Sequence, residues 1–211
     1  MKLLDARAAV IAMCQEFSPS AEFPIPNGLV DFMLFKIAGE AMRAAGVRLP
    51  ASWMITRFPC LVAETETGEC GSKWKIDLPF RPLEIHDAIT GVYMSDPIIK
   101  QGKSIQLGFV PLDSIHISAG MISPPSRKAP AYILEGDTIF LLGRPDFSGC
   151  KVTVHAVVGG LNDKSECDPN INVAIPEGGG NQIIVTAAKE ILQFLNVPGD
   201  VTEDDENEAD Q

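Results

Sequence analysis

From Ala131 to Val158 the chain reads AYILEGDTIFLLGRPDFSGCKVTVHAVV, and its apolar positions predict three β-strands in succession. The runs 132–134 and 137–142 are split by Glu135-Gly136, where glycine's tolerance of positive φ suits a tight hairpin turn. Val152, Val154 and Ala156 then alternate with Lys151, Thr153 and His155, which gives that strand one buried and one wetter face. Residues 139–142 do not alternate, which predicts a strand covered on both faces at the centre of its sheet.

Ahead of the strands the period is helical. Over residues 2–17, Leu3, Val10, Met13, Cys14 and Phe17 fall along one side of a helix, with Arg7 and Gln15 elsewhere. The segment SPSAEFPIP ends it, because its three prolines remove backbone donors and hold their neighbours extended. A second helix over 27–45 carries the stripe Val30, Met33, Leu34, Ile37, Ala41 and Ala44, with Asn27 as its expected cap and Gly46 as its left-handed stop. From Leu49 the period becomes 2. Trp53 to Ala63, Lys73 to Leu78, Ile89 to Met94, Ile105-Leu107-Phe109 and Ile115-Ile117 read as strands, about eight in all with the meander. After a polar crossing and three glycines, Ile183, Ile184, Ala187, Ala188, Ile191, Leu192 and Leu195 form the broad apolar face of a third helix, which Asn196 and Pro198 end.

These patterns predict an α+β fold: an N-terminal helical pair, a central antiparallel β-sandwich or barrel, and a C-terminal amphipathic helix. The divisions follow as residues 1–48 (helical), 49–160 (β domain), 161–200 (linker and C-terminal helix packing on the body) and 201–211 (a disordered acidic tail). Loop 119–130, AGMISPPSRKAP, is expected to project, with Arg127 and Lys128 as its contact residues.

Charge changes this picture in one respect. Of the net −11, residues 151–211 hold three Lys/Arg against twelve Asp/Glu, so the acidity is a C-terminal property. Six of those acids lie in Glu203 to Gln211, too polar to offset their ordering entropy by burial. The acidic balance argues against tight groove binding to nucleic acid. No run of 18 to 20 apolar residues is present and the N-terminus carries Asp5 and Arg7, so a soluble, non-secreted protein without a membrane partner is expected. The cysteines at 14, 60, 70, 150 and 167 are odd in number and form no C-x-x-C pair, which leaves reduced thiols as the expectation rather than a disulfide frame or zinc site.

Candidate chemistry is sparse. A Cys/His hydrolase could pair Cys14, Cys60, Cys70 or Cys150 with His86, His116 or His155, but nothing selects a pair, and packed thiols and solvated imidazoles are the simpler reading. Gly178-Gly179-Gly180 before a helix has the outline of a phosphate cradle, yet no Gly-Lys-Ser/Thr follows and Glu177 would repel phosphate. Asp163, Glu166 and Asp168 lack the spacing of an EF-hand loop. Lys73-Trp74-Lys75 mixes cation and aromatic as nucleic-acid strands do, and equally fits a half-buried strand. No catalytic residue, metal ligand or cofactor is therefore expected.

Five phrases carry a family resemblance: Leu4-Asp5-Ala6-Arg7-Ala8-Ala9-Val10, Lys75-Ile76-Asp77-Leu78-Pro79, Ile89-Thr90-Gly91-Val92-Tyr93, Tyr132-Ile133-Leu134-Glu135-Gly136-Asp137, and Ala174-Ile175-Pro176 through Leu195-Asn196. In these phrases and in layout the chain resembles the neck, or head-to-tail connector, proteins of tailed bacteriophages, particularly the ring proteins of crAss-like and related short-tailed phages. The resemblance implies a non-enzymatic virion protein assembled in the host cytoplasm. It also implies a homo-oligomeric ring, twelve-fold by family analogy, set among portal, neck and tail proteins with DNA passing through non-specifically. Under it, Arg127 and Lys128 are expected to contact an adjoining ring or the DNA, while Ala41 is an expected subunit contact because the small residues Ala38, Ala41, Ala44 and Ala45 permit close approach of helices. A Cys/His hydrolase and a small β-sandwich binding module are the alternatives from other classes.

Overall fold

A computed structural model describes residues 1–19, 24–46, 51–68, 71–84, 88–95, 104–110, 130–143, 146–162 and 171–195. Two helices, α1 (Leu3–Phe17) and α2 (Asn27–Ala44), precede a short 3-10 turn (Ser52–Met54). Strands β1 (Ile55–Val62), β2 (Glu64–Gly68), β3 (Gly71–Asp77), β4 (Phe80–Pro82) and β5 (Ile89–Ser95) follow. They are succeeded by β6 (Ser104–Gln106), β7 (Gly108–Phe109), β8 (Ala131–Glu135), β9 (Thr138–Leu142), β10 (Lys151–Leu161) and a last helix, α3 (Gly180–Phe194). The fold is α+β, as the change of period predicts.

The strands form two five-stranded sheets. One runs β1-β10-β5-β6, with β4 also paired to β10; the other runs β2-β3-β9-β8-β7. All pairings are antiparallel except the two-residue contact of β7 with β8. The sheets are joined at both edges by strands that change sheet. β1 passes into β2 through the single residue Ala63, and β6 passes into β7 through Leu107. Both corner residues are buried, and the Leu107 amide is held by the Val92 carbonyl at 2.9 Å. Corners of this kind turn a sandwich toward a flattened barrel. In the core, Phe58 of β1 stacks on Phe80 of β4 at 4.1 Å and Trp74 of β3 meets Phe147 edge-on at 6.2 Å. One core unites these residues with Val10, Leu34 and Ile191 of the three helices.

The meander closes where the Gly/Asp pair allows it. Glu135 pairs with Thr138 across the two-residue loop Gly136-Asp137, and Gly136 has a φ of +62°, the arrangement of a type II′ turn. Gly46, at +61°, ends α2 as expected by donating its N–H to the Arg43 carbonyl. On β10 the predicted alternation holds over residues 151–156 and then gives way to continuous burial at Ala156, Val157 and Val158.

Several expectations are corrected. Pro26, not Asn27, caps α2, and no side-chain cap bond forms; Asn27 is already the first helical residue. β9 is central in its sheet but alternates in burial, with Ile139 and Leu141 inside and Phe140 and Leu142 half-buried, because only one of its faces meets the core. Trp53 lies in the 3-10 turn rather than on a strand, and is exposed. On α2 the buried face takes in Asp31, Phe35, Ala38, Gly39 and Met42, while Ala44 is exposed. Two strands carry no apolar period and escape sequence reading: the polar β2 and the three-residue β4. The segment Ile115-Ile117, loop 119–129 and residues 201–211 lie outside the described residues.

Candidate functional site

The helices form the most distinctive surface. α3 packs against both α1 and α2, and α2 also lies on β10. α1 meets α2 through a bidentate pair in which the Arg7 Nε and Nη2 donate to the Asp31 Oδ1 and Oδ2, both at 2.5 Å. This pair raises the Arg7 pKa above its ordinary value, chiefly through the Asp31 hydrogen bond. Arg7 is thus at the helix interface rather than off it. From α2, Lys36 Nζ donates to Glu190 of α3 at 2.9 Å.

Beside that tie a groove of about 460 Å³ opens between α2 and the start of α3, lined by Ile37, Glu40, Ala41, Ala44, Gly179 and Ile183. The small side chains leave the space: Ala41 and Ala44 stand where a longer residue would close the helix pair. Ala41, read from sequence as a contact residue, is half-buried in this groove. Each helix also holds a large apolar side chain in solvent, Leu4 on α1, Phe32 on α2 (63% exposed) and Phe194 on α3 (65% exposed). A second hollow, of about 360 Å³, lies between α2 and the far end of β10 and includes Asp31, Phe32, Lys36, Arg81 and Gly160.

Among the described residues, the thiols and imidazole considered for hydrolysis sit on separate elements, Cys14 on α1, Cys60 on β1, Cys150 just before β10 and His155 on β10. Cys14 is buried on α1, with its Sγ near the Ala188 carbonyl at 3.7 Å, and burial raises its pKa. Cys150 is buried before β10. Cys60 is exposed, not packed: it sits in a bulge of β1 between the paired positions Phe58 and Leu61, with a φ of +62°. His155 is half-buried, not solvated. It lies opposite Arg57 on β1 and Gly91 on β5, with the Tyr93 ring at 5.0 Å, and burial followed by the Arg57 charge lowers its pKa. Cys70, Cys167, His86 and His116 lie outside the described residues, as do Asp163, Glu166, Asp168, Arg127 and Lys128.

The Lys73-Trp74-Lys75 strand takes the half-buried reading. Trp74 packs on Phe147, Lys75 lies 3.5 Å from both Glu66 and Asp77, and Lys73 stands 5.9 Å over the Phe140 ring. The carboxylates of β2, an element that apolar periodicity does not reveal, compensate this lysine strand. At the glycine run, Gly178 has a φ of +77° and Gly179 caps α3, so the run serves the turn into the helix. Among the described residues no group of three or more His, Cys, Asp or Glu is placed to hold a metal ion, and no helix is long and apolar enough to cross a membrane. No protein-family model and no curated protein sequence matches this chain.

Proposed function

We propose that the protein is a structural subunit that assembles with copies of itself into a closed ring, of the neck or head-to-tail connector kind in tailed bacteriophages, with DNA passing through the ring. The observation that carries the assembly half of this reading is the helical layer. Its inner stripes are satisfied by the body, yet it keeps an apolar groove around Ala41 and leaves Leu4, Phe32 and Phe194 outward. Small residues in such a groove permit close approach of a neighbouring subunit's helix. The phage half rests on the sequence phrases set out above, and it names the portal and the other neck or tail proteins as neighbours and the virion as destination.

Light scattering on the purified protein, with negative-stain imaging, tests the assembly. The expected result is a ring of many times the 22.7 kDa subunit mass. Ala41→Glu places a charge in the groove and should return the protein to monomers with an unchanged circular dichroism spectrum. A wild type that is monomeric at all concentrations, or an A41E protein that assembles normally, sinks the reading. Co-assembly with the portal protein of a short-tailed phage tests the narrower assignment.

A further inference from the structure

The two sheets differ in charge. Strands β1, β4, β5, β6 and β10 carry Arg57, Arg81 and Lys151 with His155, and no Asp or Glu at all. The opposite sheet carries Glu64, Glu66, Asp77 and Glu135 against Lys73 and Lys75. On a chain of net charge −11, a sheet without a single carboxylate is a marked departure.

Register places most of the polar residues of that sheet on one outer face, with Thr56 buried on the other. Arg57, His155 and Gly91 form one cross-strand row, Thr153, Tyr93 and Gln106 the next, and Val62, Lys151, Ser95 and Ser104 the third. The face is open to solvent from the Arg57 row to the Lys151 row: Arg57, Lys151, Gln106, Ser95 and Ser104 are exposed. Its other end, around Val157, is covered by Met42 and Met54. Arg7, Lys36, Arg43 and Lys75 each have a carboxylate partner, whereas Arg57 and Lys151 have none among the described residues. Four residues of strand rise separate their rows, about 13 Å, close to the roughly 12 Å width of a DNA major groove.

We propose that this outer face, through Arg57 and Lys151 with Thr153 and Gln106 as neutral donors, contacts the phosphate backbone of duplex DNA without reading sequence. The inference rests on the ring reading, since two cations per subunit hold a polyanion only when the ring repeats them. It gives DNA passage a specific wall: cations spread thinly over a neutral polar sheet attract the duplex weakly enough for it to slide.

The test begins with light scattering on every protein, so that loss of the ring and loss of DNA contact are read separately. Fluorescence anisotropy then follows a random-sequence duplex at low salt. Wild-type rings should bind, with log K falling against log salt at a slope of about −2 for each engaged subunit. Arg57→Glu/Lys151→Glu should weaken binding at least about tenfold, and the neutral pair Arg57→Gln/Lys151→Gln should also weaken it if charge reversal harms folding. Lys73→Glu/Lys189→Glu, off this face, should change affinity less than about twofold. Intact rings that ignore DNA, or equal losses in the face and off-face variants, would each overturn the inference while leaving the ring intact.

Discussion

Arg7 and Asp31, twenty-four residues apart in sequence, lock α1 to α2 through two parallel hydrogen bonds, with their side chains only 17% and 11% exposed. A bidentate pair has both geometric specificity and charge-assisted strength. Its partial burial places it between exposed pairs, worth up to about 1 kcal/mol, and fully buried ones, where losing one partner costs about 3 to 5 kcal/mol.

Removing one partner should therefore cost more than removing both. Arg7→Met or Asp31→Leu alone is expected to lower stability by about 2 kcal/mol in urea unfolding, and the double variant by less than the sum. Additive single losses in that cycle would show that the two side chains act independently and would falsify the locking role.

Gly159 and Gly39 should respond differently to alanine, although both adjoin Leu83. A Cβ at Gly159 would lie 2.7 Å from the Leu83 Cα and 3.0 Å from its backbone nitrogen, atoms that cannot yield without shifting the chain. Gly159→Ala is expected to cost about 2 to 3 kcal/mol. At Gly39 the near atom is the Leu83 Cδ1 at 3.0 Å, the end of a flexible side chain, and alanine returns about 1 kcal/mol of helix propensity. Gly39→Ala should lie within about 1 kcal/mol of wild type. Thermal unfolding of the pair decides, and equal destabilisation would contradict the backbone-clash account.

Cys60 occupies the left-handed region that a side chain enters at a cost of about 1 to 2 kcal/mol. Cys60→Gly removes that cost, less the greater freedom of glycine in the unfolded chain, and should stabilise by up to about 1 kcal/mol. Cys60→Val, branched at Cβ, should destabilise. The chemical-denaturation midpoints of the two variants are expected on opposite sides of wild type, and the reverse order would remove backbone strain as the explanation.

His155 links stability to pH. Its folded-state pKa lies below the ordinary 6.5, so the unfolded chain takes up the proton first as pH falls. The associated stability is complete above pH 6.5 and drains away between 6.5 and the lower folded value. Urea midpoints measured from pH 8 down to 5 should fall for wild type and fall less for His155→Gln. Arg57→Leu, by removing the cation opposite His155, should also reduce the drop; identical profiles in all three proteins would exclude His155 as the source.

What the chain determined by itself is the set of elements whose environment repeats with their own geometry. The stripe of α3, the core face of β10 and the Gly136 turn are legible because periods of 3.6 and 2 record which side of a local element meets the core, and because positive φ selects glycine. Only the tertiary structure decided the rest. β2 is polar along its length, and its identity as a strand comes from pairing with β3. Ala63 and Leu107 are ordinary apolar residues until two sheets need a corner at each. Arg7 falls off the apolar stripe of α1 and its role is set by a partner on another helix, and the charge contrast between the sheets emerges only once strand order sorts β1, β4, β5, β6 and β10 from the others. Backbone pairing and ion-pair choice depend on which distant segment arrives alongside, and local periodicity has no record of that.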